Sequence, residues 1–70
     1  MLCFVTIPNT TQKQYFDHSQ VAGIDSDPKG VTIITLSTGR QITCGTALAT
    51  VAANIARAPF DTTQTPLNIG

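Results

Sequence analysis

Residues 25–30 read DSDPKG, with carboxylates at the first and third places and a glycine at the sixth. A calcium loop opens in the same way. It offers oxygens at its first, third and fifth places and closes with a bidentate glutamate at the twelfth. Here the fifth place is Lys29 and the twelfth is Leu36. A cation stands where an anion is required, and the closing ligand is missing. Pro28 and Gly30 suit a turn instead, since proline presets φ at the second position and glycine accepts a left-handed exit. Asp25 or Asp27 then caps the turn locally. The segment reads as a bend.

His18 is the single histidine, with Asp17 beside it. A general base needs an orienting partner and a nucleophile within reach. On an extended strand, adjacent side chains point to opposite faces, which would part Asp17 from His18. Ser19, Ser26, Ser37 and the threonines lie in no motif that activates a hydroxyl. Cys3, Cys44 and His18 lack the paired spacings of a zinc site. Each cysteine sits in an apolar or β-branched stretch, where a free thiol behaves as a small hydrophobe. The expectation is two reduced core cysteines, no catalytic residue, no metal, no cofactor and no enzymatic activity. One ligand class stays open. The stretch STGRQITCGTA lacks the lysine–serine ending of a phosphate loop, yet the helix start after Gly45 is open to a small anion such as a phosphate or nucleotide, with Arg40 nearby. Ordinary capping is the simpler account of that helix start.

The elements that would position these residues can be read from pattern. LCFVTI (2–7) is short, β-branched and aromatic, bounded by Pro8 and Asn9, and reads as a strand. QYFD (14–17) begins a second strand or a turn, and QVAGID (20–25) pairs with the stretch after it. GVTIITLSTGRQITC (30–44) predicts a hairpin, with Gly39 at the positive-φ position of its turn. Aliphatic residues on both faces of 31–36 predict a strand that is central or covered on two sides, with one face on the core and the other open to a subunit contact. The period then changes. Leu48, Val51, Ala52 and Ile55 recur at helical spacing over 46–59, with Thr46 as N-cap, Arg57 in the last turn and Pro59 as the stop. Ala49, Ala53 and Ala56 form a small-residue stripe open to close packing. The tail (59–70) is polar with apolar anchors at Phe60, Leu67 and Ile69.

Size and charge narrow the function classes. Seventy residues make a single domain. A chain of this length buries only about 60% of the surface its unfolded form exposes. Its core supplies roughly 3–5 kcal/mol without a disulfide, metal or partner subunit, so a homo-oligomer is expected. Four cations (Lys13, Lys29, Arg40 and Arg57) oppose four aspartates, with no glutamate and zero net charge. Nucleic-acid binders gather basic residues on one face, which four scattered cations in a monomer do not do. The low charge and 41% hydrophobic content argue against disorder. No basic region precedes MLCFVTI, and that run is too short to cross a bilayer. A soluble, cytoplasmic protein is expected.

The run VAGIDSDPKGVTIITLSTGRQITCGTALATVAANI resembles the small flagellar and swarming-motility proteins of the FlbD type. Those carry an isoleucine-rich strand, a proline-bearing turn, a VI-x-LTNGK hairpin and a helix. Ile24, Pro28, Ile33, Leu36, Thr38, Gly39, Arg40, Leu48, Val51 and Ile55 take the corresponding places, over about half the chain. The chain lacks that family's LNG turn near the N-terminus and its charged helix, and it adds a threonine-rich tail. The resemblance implies the strand–turn–strand–helix fold and a motility context. The same run, with APF after its helix, is similar to the first half of a LytTR module. That likeness implies DNA binding through basic residues further on, which this chain does not supply.

Together these readings predict an α+β fold: an antiparallel β-meander of three to five strands packed against one C-terminal α-helix. Residues 1–58 form the domain and 59–70 an extended tail. The expected role is a small non-enzymatic interaction module that self-assembles and docks a protein partner. Tyr15, Arg40, Arg57 and Phe60 are the candidate partner contacts, because aromatics and arginines most often anchor interfaces. Ala49, Ala53, Ala56, Leu67 and Ile69 are the candidate self-association residues. The rival reading is an inhibitor of a host system encoded by a phage or mobile element, or a protein that sequesters a small ligand.

Overall fold

The computed structural model describes residues 1–60 and 66–70. Six strands and one helix run in chain order: β1 (Leu2–Thr6), β2 (Lys13–Asp17), β3 (Val21–Ser26), β4 (Thr32–Leu36), β5 (Gln41–Cys44), α1 (Leu48–Arg57) and β6 (Leu67–Asn68). Short 3-10 turns span His18–Gln20 and Ala58–Phe60. The strands divide between two three-stranded sheets, ordered β2-β1-β6 and β3-β4-β5. The class is α+β. The strand count exceeds the expected three to five because the tail contributes β6, and two sheets stand where one meander was expected.

β1 and β2 pair antiparallel, with Cys3 opposite Phe16, Phe4 opposite Tyr15 and Thr6 opposite Lys13. Period-2 alternation sorts their side chains: Cys3, Val5 and Phe16 are buried, while Leu2 and Tyr15 face solvent. The connection between them is closed by backbone bonds from the Ile7 amide to the Gln12 carbonyl (2.9 Å) and from the Thr10 amide to the Ile7 carbonyl (3.1 Å).

DSDPKG is the turn joining β3 to β4. The Asp27 carboxylate accepts from the Lys29 amide at 2.8 Å, and the Asp27 carbonyl accepts from the Gly30 amide at 2.8 Å. Gly30 exits at φ 88°, the left-handed region that glycine enters without steric cost. The β4–β5 hairpin turns in the same way on Gly39 (φ 90°), whose amide bonds the Leu36 carbonyl at 2.9 Å. Ile24, Ile34 and Ile42 line up as one row across the inner face of this sheet. The core gathers Ile34, Leu36, Ile42 and Cys44 from it, Cys3, Val5 and Phe16 from the other sheet, and Val51, Ala58 and Ile69.

β4 is the central strand of its sheet, as one of the two expected arrangements has it. Half-buried Ile33 lies between Asp25 and Thr43, both exposed, in a largely polar row. α1 is shorter than the pattern predicts. Ala47 is its N-cap and makes no side-chain bond, so Thr46 does not cap it. The Thr46 carbonyl instead accepts from the buried Thr32 hydroxyl at 2.6 Å, which ties the helix entry to β4. Val51 is buried and Leu48 and Ile55 are half-buried, whereas Ala52 is exposed. Pro59 lies inside the 3-10 turn that continues the helix, not at a sharp stop.

The tail expected over 59–70 lies partly outside the described residues. Its end is part of the fold. β6 runs parallel to β1, with Leu67 beside Cys3 and Asn68 beside Phe4. The Ile69 amide bonds the Phe4 carbonyl at 2.9 Å, and the Gly70 carbonyl accepts from the Thr6 amide at 2.8 Å.

Candidate interaction surface

β1 and β2 alternate in phase, so their outward residues make one continuous face. Leu2 lies opposite Asp17, Phe4 opposite Tyr15 and Thr6 opposite Lys13. The Phe4 and Tyr15 rings sit 5.6 Å apart between centroids, tilted by 46°. That separation lies within the contact range of aromatic pairs, with the rings tilted between stacked and edge-to-face. Lys13 lays its ammonium 4.9 Å from the Phe4 centroid, a cation–π contact. Leu2 remains 48% exposed and Tyr15 47%. This apolar patch therefore has a cation at one end of β2 and a carboxylate at the other.

At the carboxylate end the chain turns. β2 stops at Asp17 and a 3-10 turn starts at His18, so the two side chains converge where a continuing strand would have parted them. The Asp17 carboxylate accepts from the Ser19 amide (3.0 Å) and the Ser19 hydroxyl (2.8 Å). These bonds, the amide first, hold its pKa below the ordinary aspartate value, with the Met1 ammonium 3.5 Å away adding to the effect. The same ammonium lies 2.9 Å from His18 Nδ1. Ser19 gives its hydroxyl proton to Asp17 rather than to His18. The cluster fixes Met1 against the end of β2.

Both cysteines are free and buried. Burial pushes the Cys3 thiol up, away from the thiolate that redox chemistry needs. Among the described residues, no group of three or more His, Cys, Asp or Glu is arranged to hold a metal ion.

Of the residues singled out from the sequence, Tyr15 alone belongs to the aromatic patch; Leu2, Phe4 and Lys13 complete it and were missed. Strict alternation in LCFVT held the signal, because whatever buries Cys3 and Val5 must turn Leu2 and Phe4 outward. Arg40 is exposed in the β4–β5 turn, and Arg57 ends α1 with its guanidinium donating to the Asn54 side-chain oxygen at 3.2 Å. Phe60 is 83% exposed in the last 3-10 turn. Ala49, Ala53 and Ala56 are exposed on α1. Leu67 packs half-buried against the core, and Ile69 is wholly buried in it. Ile69 is therefore corrected from a self-association residue to an internal one: Asn54 on α1 donates to its carbonyl at 2.9 Å and holds it inside.

No protein-family model matches the chain, and neither a curated protein nor a solved structure does. β3, β4, β5 and α1 form a strand–turn–strand–helix unit. Many small folds share that unit, so it does not select a partner.

Proposed function

We propose that this chain is a small non-enzymatic protein-interaction module that assembles with itself and docks a further protein. The observation carrying this reading is the outer face of the β2-β1-β6 sheet, where Leu2, Phe4 and Tyr15 are left partly in water by a chain with few residues to spare for its core. Apolar side chains clustered on a surface mark interaction sites when singly scattered ones do not. Tyr15 is of the residue type that anchors interfaces, offering a large rigid ring with a polar tip. Phe60, with Arg57 three residues before it, is the anchor offered to the second protein.

The described residues contain no helix long and apolar enough to cross a membrane. The free, buried Cys3 and Cys44 support a reducing compartment such as the cytoplasm. The function is tested with a Leu2→Ser/Tyr15→Ser double variant. Its folding is checked by circular dichroism and its mass by light scattering beside the parent chain. The parent is expected to associate and the variant to run as a monomer. Equal association of both would remove this face from the account.

A further inference from the structure

β2 is a rim of its sheet, and among the described residues no strand pairs with its outer backbone edge. At its end, Asp17 is the N-cap of the His18–Gln20 3-10 turn and its carbonyl serves that turn. The flanking bonds show which groups that edge presents. The His18 amide bonds the Met1 carbonyl at 3.0 Å, and the Ile7 amide bonds the Gln12 carbonyl at 2.9 Å. Residues 1 and 18, and 7 and 12, are thus hydrogen-bonded partners. Antiparallel alternation then assigns the inward bonds to the pairs 3–16 and 5–14. The amides and carbonyls of Lys13, Tyr15 and Asp17 consequently point outward from the rim.

Resting on the self-assembly reading above, we propose that β2 pairs antiparallel with β2 of a second copy of this chain about a twofold axis at Tyr15, joining two three-stranded sheets into one. The side-chain order demands this register. Lys13 and Asp17 stand two residues either side of Tyr15, so each meets the opposite charge across the axis. In the same register Tyr15 exchanges both of its backbone bonds with its copy, the Asp17 amide reaches the partner's Lys13 carbonyl, and the second lone pair of the Asp17 carbonyl meets the partner's Lys13 amide. The Phe4–Tyr15 pair continues into its symmetric copy as a four-ring row on one face. A parallel pairing in register would place lysine beside lysine, and a two-residue slip would break both charge pairs. A lone lysine on a sheet rim opposes strand addition. Here Asp17 of the partner subunit answers it.

The test exchanges charges between chains. Lys13→Glu and Asp17→Lys are made separately, and each is checked by circular dichroism and then by analytical ultracentrifugation at low salt. Each variant alone opposes like charges twice across the axis, so its self-association is expected to weaken by about tenfold or more. Mixed in equal amounts, the two variants offer opposite charges at both positions, and a heterodimer is expected. Parent-like self-association of both single variants would overturn the β2 pairing while leaving self-assembly standing. A parent chain that stays monomeric would overturn both. Should either variant fail to fold, Tyr15→Cys decides. Tyr15 would face its own copy across a hydrogen-bonded pair, at a Cα separation of about 5.5 Å that a disulfide spans. Mild oxidation is then expected to give a covalent dimer, the native cysteines being buried. An associating chain that does not cross-link would overturn the pairing.

Discussion

Asp17 shows how one carboxylate joins a strand end, a turn and the chain's first residue. Its pKa is lowered in the folded state, chiefly by the Ser19 amide and then the Ser19 hydroxyl. A depressed folded pKa contributes stability that is fully present above the ordinary aspartate value, about 3.9, and is lost as pH falls through the lower folded value. Thermal melts of the parent should therefore lose stability in that acidic window, and Asp17→Asn should flatten this part of the profile. An unchanged acid limb would show that the turn does not depend on the charge. At Gly70, a Cβ would stand 2.5 Å from Cys44 Sγ and 2.9 Å from Thr46 Oγ1. Both neighbours belong to packed parts of the fold, so Gly70→Ala should cost about 1–3 kcal/mol in urea unfolding. A neutral result would mean that the end of the tail is held only loosely. Neither effect was legible in the sequence. DH in isolation reads as two residues of a strand, and a terminal glycine reads as nothing until β6 is laid beside β1.

The elements differ in how openly they were written. The β4–β5 hairpin and the DSDPKG bend each carry their turn chemistry within a few residues, so both could be read directly. The helix could be placed by its period, but not its start. Thr46 looks like a cap, yet its carbonyl is claimed by Thr32, fourteen residues earlier. β6 was the hardest. Two residues of strand have no period, and their partner β1 lies at the other end of the chain. Its security comes from Ile69 in the core and from the bond between Asn54 and the Ile69 carbonyl. Asn54→Ala should cost about 1 kcal/mol and raise hydrogen exchange at the Ile69 amide above that at β4 amides. Equal protection in parent and variant would remove Asn54 from the tail's anchorage. Ile69→Ala removes a fully buried side chain, worth about 2–5 kcal/mol. In a core that supplies roughly 3–5 kcal/mol, that loss should leave much of the chain unfolded at room temperature.

The described residues are compact, with a radius of gyration of 11.1 Å. That is close to the roughly 11 Å general scaling gives for a folded domain of this length. Compactness does not dispose of the apolar residues on the outer sheet face. The aliphatic residues of 31–36 point to surplus apolar surface on β4. The structure moves it to β1 and β2, because Ile33 lies between polar Asp25 and Thr43 while Phe4, with Asn68 on one side, meets the Tyr15 ring on the other. Association of folded copies leaves the unfolded state out, so it should make thermal stability rise with protein concentration. The most direct measurement is sedimentation equilibrium of the parent chain from about 1 to about 100 μM, the range in which modest interfaces form. The account predicts a weight-average mass climbing from the 7.4 kDa protomer toward twice that value. A mass that stays at the protomer value throughout would contradict it.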